Sequence, residues 1–255
     1  MKKNLILKKP FKQIIFYLGL LLLWQAVIML KLWPEYLFPG PAKVFTALFE
    51  GFGNHSFLIG MAVSFKRLLI GFGISIVLGS AIGTLLVKYK TLDETVGGLV
   101  LGLQTLPSIC WFPLALLWFG LNEWSVIFVI IAGSVFSMTI ATYSSFKNVP
   151  PIYIKVGRNM GAKNLKLLWN IFIPAAIPSL VSGLRQSWSF AWRSLMAGEL
   201  LYNSLGLGFL LNTGRELNDM SQVIAVIFLI IAISILVDKM IFGRIESKIR
   251  ARYGL

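Results

Sequence analysis

The chain has 255 residues, 57% of them apolar and 13% charged, with a formal net charge of +14, and its mean hydropathy is +0.79. Soluble domains carry about 45–50% apolar and about 25% charged residues, so an ordinary water-soluble domain is excluded. In a soluble chain the basic excess would suggest nucleic acid. Here the basic residues stand between apolar runs with no nucleic-acid motif, so they read as topology signals beside anionic lipid headgroups.

Six stretches are long enough to cross about 30 Å of hydrocarbon, which takes about 20 residues. All are expected to be helical, because unpaired backbone groups are costly in lipid. Residues 1–13 form a basic tail. The first span, 14–31, lacks a small-residue cleavage site and runs on to full length, so it is expected to stay as a span. The segment 14–57 combines this span with an outer stretch, WPEYLFPGPAKVFTALFEGFGNHS. There a Pro/Gly turn precedes an amphipathic stretch suited to the membrane interface.

Residues 58–243 are read as the core. The second span, 60–87, carries Gly71, Gly73, Gly79, Ser80 and Gly83. The spacing of Gly79 and Gly83 allows close helix approach, either within the chain or between copies. The third span, 96–119, is interrupted by Pro107 and Pro113, each of which removes a backbone donor and can bend a helix. Carbonyls freed beside Ser108 line a cavity, or the prolines give a static kink. The fourth span is 124–143.

The connection 148–173 reads as two short helices. Val149, Pro150 and Pro151 start the first, Met160, Gly161 and Ala162 break it, and a basic amphipathic helix runs on to Pro174. A connection with its own helices is either functional or a solvated connector. The fifth span, 174–198, is the most polar, and the sixth, 222–242, leads into a basic tail, 244–255.

Charge orients these spans. Lys2, Lys3, Lys8, Lys9, Lys12, Lys88, Lys90, Lys147, Lys155, Arg158, Lys163, Lys166, Lys239, Arg244, Lys248, Arg250 and Arg252 fall on one side. Lys31, Lys43, Lys66, Arg67 and Arg215 fall on the other. The positive-inside rule places both termini in the cytoplasm.

The chain has one cysteine, Cys110, and one histidine, His55. An internal disulfide and a CxxC metal site are therefore excluded, and Cys110, inside an apolar run, reads as a small packing residue. No GxxxxGK[ST] phosphate loop is present. No Ser/His/Asp or metal-ligand set can be assembled, so neither catalytic residues nor a metal site are expected.

Ionisable residues inside spans are candidates for function. The fifth span holds Arg185, Arg193 and Glu199, with Trp188, Ser189 and Trp192 among them. Either Arg193 faces a translocation path and helps an anionic group across, with Trp188 or Trp192 as gate walls, or it pairs with Glu199 or backbone carbonyls and fixes helix packing.

A family resemblance joins these features. Importer permeases of the ATP-binding-cassette class carry a cytoplasmic motif, EAA-x3-G-x9-I-x-L-P. Gly161 is followed after nine residues by Ile171, Phe172, Ile173 and Pro174, with Lys155, Val156 and Gly157 in place of the EAA head. LPSICWFPLALLWFGLNEWS (106–125) resembles nitrate/sulfonate/taurine-type permeases, as do FPGPAKVFTAL (38–48), SFKRLLIGFGISIVLGSAIGTLL (64–86), AWRSLMAGELL (191–201) and GLGFLL (206–211).

The resemblance implies an all-α integral membrane protein of the type I (MetI-like) importer permease fold, with six transmembrane helices and a cytoplasmic coupling helix, in a bacterial cytoplasmic membrane. It implies docking on two ATPase subunits through Lys155, Val156, Gly157, Arg158, Met160, Gly161, Ala162, Lys163 and Leu165. A second permease copy and an extracytoplasmic binding protein complete the machine. ATP and Mg are then expected on the ATPase, with no cofactor on this chain. A small oxyanion, a sulfonate or a related nutrient is the expected solute. A thiamine-precursor pyrimidine is the alternative within the class, and a non-transporting structural or regulatory membrane protein the alternative outside it.

Overall fold

The computed structural model describes the backbone of residues 3–253 and the side-chain surroundings of residues 11–163 and 166–253. Every regular element among the described residues is helical, as lipid demands of a backbone that must satisfy its own donors. In chain order the elements are α1 (Lys3–Met29), α2 (Pro41–Gly53), α3 (Ser56–Lys88), α4 (Lys90–Thr105), α5 (Phe112–Phe119), α6 (Glu123–Lys147), α7 (Pro151–Asn159), α8 (Asn164–Leu167), α9 (Ile173–Leu201), α10 (Leu207–Glu216), α11 (Met220–Val237) and α12 (Gly243–Tyr253). A 3-10 turn, Ser108–Trp111, precedes α5. π-helical turns, Leu168–Phe172 and Asp238–Phe242, join α8 to α9 and α11 to α12.

Four helical runs are long and apolar enough to cross a bilayer: Phe11–Met29, Ser56–Lys88, Glu123–Lys147 and Met220–Tyr253. The bent pair of α4 with the segment Ser108–Phe119 makes a fifth if taken as one crossing. The 29-residue α9 has the length, but Arg185, Arg193 and Glu199 make it the most polar of the long helices, as the sequence indicates.

The core forms around α6, of whose most apolar stretch 67% is buried, against 33% for α3, 28% for Met220–Tyr253 and none for α1. Lipid tails are as apolar as leucine, so close backbone approach and internal hydrogen bonds hold such a bundle. A Cβ at Gly71 would stand 2.8 Å from Ile130 Cγ2, and one at Gly83 2.5 Å from the Thr139 carbonyl oxygen. The Gly79–Gly83 spacing is thus used inside the chain, between α3 and α6. Small hydroxyls complete the seam: Ser134 Oγ donates to Ser75 Oγ at 2.8 Å, and Ser187 Oγ of α9 donates to the Ser134 carbonyl at 3.0 Å.

The two prolines of the third span play different parts. The chain turns through 105° between α4 and the segment beginning at Ser108, a break rather than a kink, and Pro107 stands in it. Pro113 stands at no such break: it occupies the first turn of α5, a position that proline tolerates, within the helical segment Ser108–Phe119. Pro174 likewise lies in the first turn of α9, and the helix runs through it from α8. The second short helix of the 148–173 connection is therefore the beginning of α9's own rod, not a separate element. Beyond the sixth span the chain stays helical through α12.

Candidate functional site

The connection between α6 and α9 is built by two glycines. Gly161 has φ +82°, a left-handed conformation that costs a residue with a Cβ about 1–2 kcal/mol. Its N–H donates to the Arg158 carbonyl at 3.0 Å, and the Ala162 N–H donates to the Gly157 carbonyl at 2.9 Å. This pair of bonds satisfies the orphan carbonyls that end α7. Gly157 is the one buried residue of α7. A Cβ there would stand 2.9 Å from Leu167 Cδ1 and would collide with Ile171 Cδ1. The third position of the motif's head thus needs a minimal side chain because the motif's isoleucine lies on it.

The rest of the turn faces outward. Lys155, Val156, Arg158, Met160, Gly161 and Lys163 are exposed, Met160 at 80%. Ala162 is half-buried, and the Leu165 side chain lies outside the described residues. Ile152 and Tyr153 extend the apolar part of the surface. Arg158, Ala162, Lys163 and Leu167 line a cleft of about 410 Å³. Apolar knobs among basic side chains suit a protein partner with an acidic, grooved face.

The structure divides the polar residues of α9 between two faces. Arg193 and Ser189 are exposed on one face. Arg193 Nε donates to the Ser189 carbonyl at 3.2 Å, and its guanidinium carbon lies 4.6 Å from the Phe190 ring centroid. This face borders a cleft of about 390 Å³, across which lie Gln104, Pro107 and Ser108 from the broken helix.

The opposite face is core, which corrects the expected gate. Trp188 and Trp192 are buried, with Trp188 edge-on to Phe72 at 5.2 Å and Trp192 5.8 Å from Phe65. Arg185 is an anchor: its Nε donates to Asp238 Oδ1 at 2.6 Å and its Nη1 to Glu246 Oε2 at 2.9 Å. That pairing ties α9 to the α11–α12 rod.

Nor does Arg193 pair with Glu199. Arg67 does, a residue that the charge count placed among the outer topology signals. Arg67 Nη1 donates to Glu199 Oε1 at 2.9 Å, Ser64 Oγ donates to Glu199 Oε2 at 2.8 Å, and the Gly208 N–H donates to Glu199 Oε2 at 3.0 Å. Arg67 Nη1 also reaches the Leu205 carbonyl at 2.8 Å. A Cβ at Gly206 would stand 2.6 Å from Glu199 Oε1, so the GLG of GLGFLL lets the loop wrap the carboxylate. The available signal was two opposite charges, Arg67 and Glu199, each embedded in an apolar run at the same end of its span.

A multi-crossing bundle with a glycine-ended surface turn and an arginine-bearing cleft at a broken helix has the build of a membrane permease. The family model for the inner-membrane component of binding-protein-dependent transport systems matches residues 75–250, and the chain belongs to that family. It is 35% identical over 193 residues to a putative ABC transporter permease protein of Methanocaldococcus jannaschii, covering 75% of this chain and 72% of that one. It is 25% identical over 224 residues to the taurine transport system permease protein of Escherichia coli, covering 86% and 82%. It is 28% identical over 222 residues to the formylaminopyrimidine transport permease protein of Halalkalibacterium halodurans, covering 87% and 88%.

Proposed function

We propose that this chain is the membrane path of an importer for a small oxyanion, sulfonate or related solute, handed over by an extracytoplasmic binding protein. Two ATPase subunits dock on the turn between α7 and α8, a second copy of the permease pairs with this one, and both termini face the cytoplasm. ATP and Mg bind on the ATPases, and this chain carries no cofactor. The observation that carries the reading is the exposed surface of Val156, Met160 and their basic neighbours, presented by the left-handed turn at Gly161.

The mechanism is alternating access. ATP binds the closed ATPase pair better than the open one, and only that difference can shift the equilibrium. The docked turn then moves with its ATPase and carries the spans from inward-open to outward-open. The loaded binding protein delivers solute to the open side, and hydrolysis resets the machine.

Co-purification tests this. The chain, expressed with its ATPase, is expected to retain it, and Val156→Asp combined with Met160→Asp is expected to lose it while keeping a normal elution profile. Unchanged retention after charge insertion on this surface would sink the docking role. The formylaminopyrimidine permease relative favours a second reading, the same machine with a pyrimidine as solute. Uptake by the reconstituted complex with its binding protein separates the two, and no uptake of any solute would leave a structural role.

A further inference from the structure

We infer that the cleft beside Arg193 is a low-affinity subsite for a compact oxyanion, held by this chain itself and not only by the delivering protein. The inference deepens the reading above and rests on it. Three arginines lie within the helical bundle, and the structure treats them differently. Arg67 is held by Glu199, and Arg185 by Asp238 and Glu246. Arg193 meets no carboxylate among the described residues. Its one protein hydrogen bond there runs from Nε to the Ser189 carbonyl, which leaves both Nη groups without a protein acceptor.

The opposite wall supplies more donors. Gln104, Thr105 and Ser108 line the cleft from the two sides of the break at Pro107. The Thr105 hydroxyl is committed to the Gly102 carbonyl at 2.7 Å. The Gln104 amide and the Ser108 hydroxyl have no partner among the described residues, so their N–H and O–H groups are available. The remaining wall is apolar, with Ile109, Ala132, Phe190 and Ala197, apart from Ser194, whose hydroxyl is committed to the Phe190 carbonyl at 2.8 Å, and no Asp, Glu or Lys among the described residues lines it.

This composition selects. A cation meets the Arg193 charge with nothing to offset it. An apolar solute strips water from the guanidinium without replacing its hydrogen bonds, which is costly. An oxyanion accepts from Arg193, Gln104 and Ser108 together, and charge-assisted bonds of this kind are the stronger ones. Only one full charge acts, on a guanidinium already drawn to the Phe190 ring, in an open cleft that keeps its water. The hold is therefore weak, as conduction requires: favourable enough to enter, weak enough to leave.

The test uses the complex of this chain with its ATPase in lipid nanodiscs and saturation-transfer NMR with methanesulfonate as probe. The wild type is expected to give a saturable signal that nitrate displaces and urea does not. Arg193→Gln is expected to weaken the apparent affinity about tenfold, the loss of one good charge-assisted bond. Arg193→Lys keeps part of the affinity, Gln104→Leu weakens it less, and Arg215→Gln leaves it unchanged. No saturable signal in the wild type, displacement by urea, or equal affinity in Arg193→Gln overturns the inference. If Arg193→Gln fails to assemble, Gln104→Leu with Ser108→Ala carries the same expectation, and an unchanged affinity there overturns it as well. ATPase retention is measured on the same samples, so failure of the docking role registers separately from failure of the subsite.

Discussion

Arg67 and Glu199 meet at 2.9 Å with their side chains 1% and 0% exposed, joining the first half of α3 to the last turn of α9. The pair is embedded in further bonds from Ser64 and Gly208, although Arg67 Nε has no partner. Removing one partner of such a buried pair strands the other charge, which costs about 3–5 kcal/mol. Arg67→Ala and Glu199→Ala are each expected to shorten the thermal half-life of the purified complex sharply. Arg67→Met with Glu199→Leu is expected to recover much of the loss, because no charge is left buried. A double variant no better than the singles would show that the loop contacts, not the charges, hold this region.

Arg185 gives the opposite expectation. It is 40% exposed and Asp238 39%, so water screens the pair and its worth falls to about 0.2–1 kcal/mol. Arg185→Gln is expected to change thermal half-life far less than Arg67→Ala, and the two variants measured side by side check this.

Trp188 is expected to act through packing. Phe72 and Phe242 enclose it, and truncating a buried tryptophan costs about 3–5 kcal/mol. Trp188→Ala is expected to lower the yield of assembled complex. The solute preference of the complex that does assemble is expected to be unchanged, as competition uptake assays would show; an altered preference would place Trp188 on the path after all.

Gly157 and Gly161 differ in what they tolerate. At Gly161 a Cβ meets nothing within 4 Å, so Gly161→Ala costs only the backbone strain of about 1–2 kcal/mol and is expected to leave ATPase retention measurable. At Gly157 any side chain meets Leu167 and Ile171. Gly157→Leu is expected to push α7 off the rod and abolish ATPase retention. Equal retention in the two variants would mean that this contact does not position the surface.

Four of the six expected spans and the turn at Gly161 were legible because both leave local marks, hydropathy over about 20 residues and a glycine where the backbone turns left-handed. The third span was half legible. Two prolines announce an interruption, yet a proline removes a donor without setting an angle, so the 105° break and the harmless position of Pro113 could not be told apart. The Arg67–Glu199 pair was missed because its partners lie 132 positions apart and carry no periodic signal. Trp188 and Arg193 stand five positions apart on one helix, and which of them faces the core depends on α3 and α6, elements read separately.

The helical run that begins at Asn164 does not end until Leu201, roughly 55 Å of path at 1.5 Å per residue. The Gly161 turn and the Arg193 cleft thus stand on one continuous helical run, and under the proposed docking a shift of the turn reaches the cleft through that run. The run has two compliant points, the π-helical turn Leu168–Phe172 and Pro178 inside α9, which removes a helical hydrogen bond. Ile171 of the π turn is braced against Gly157, so α7 splints the first of these points and leaves the second to the bundle.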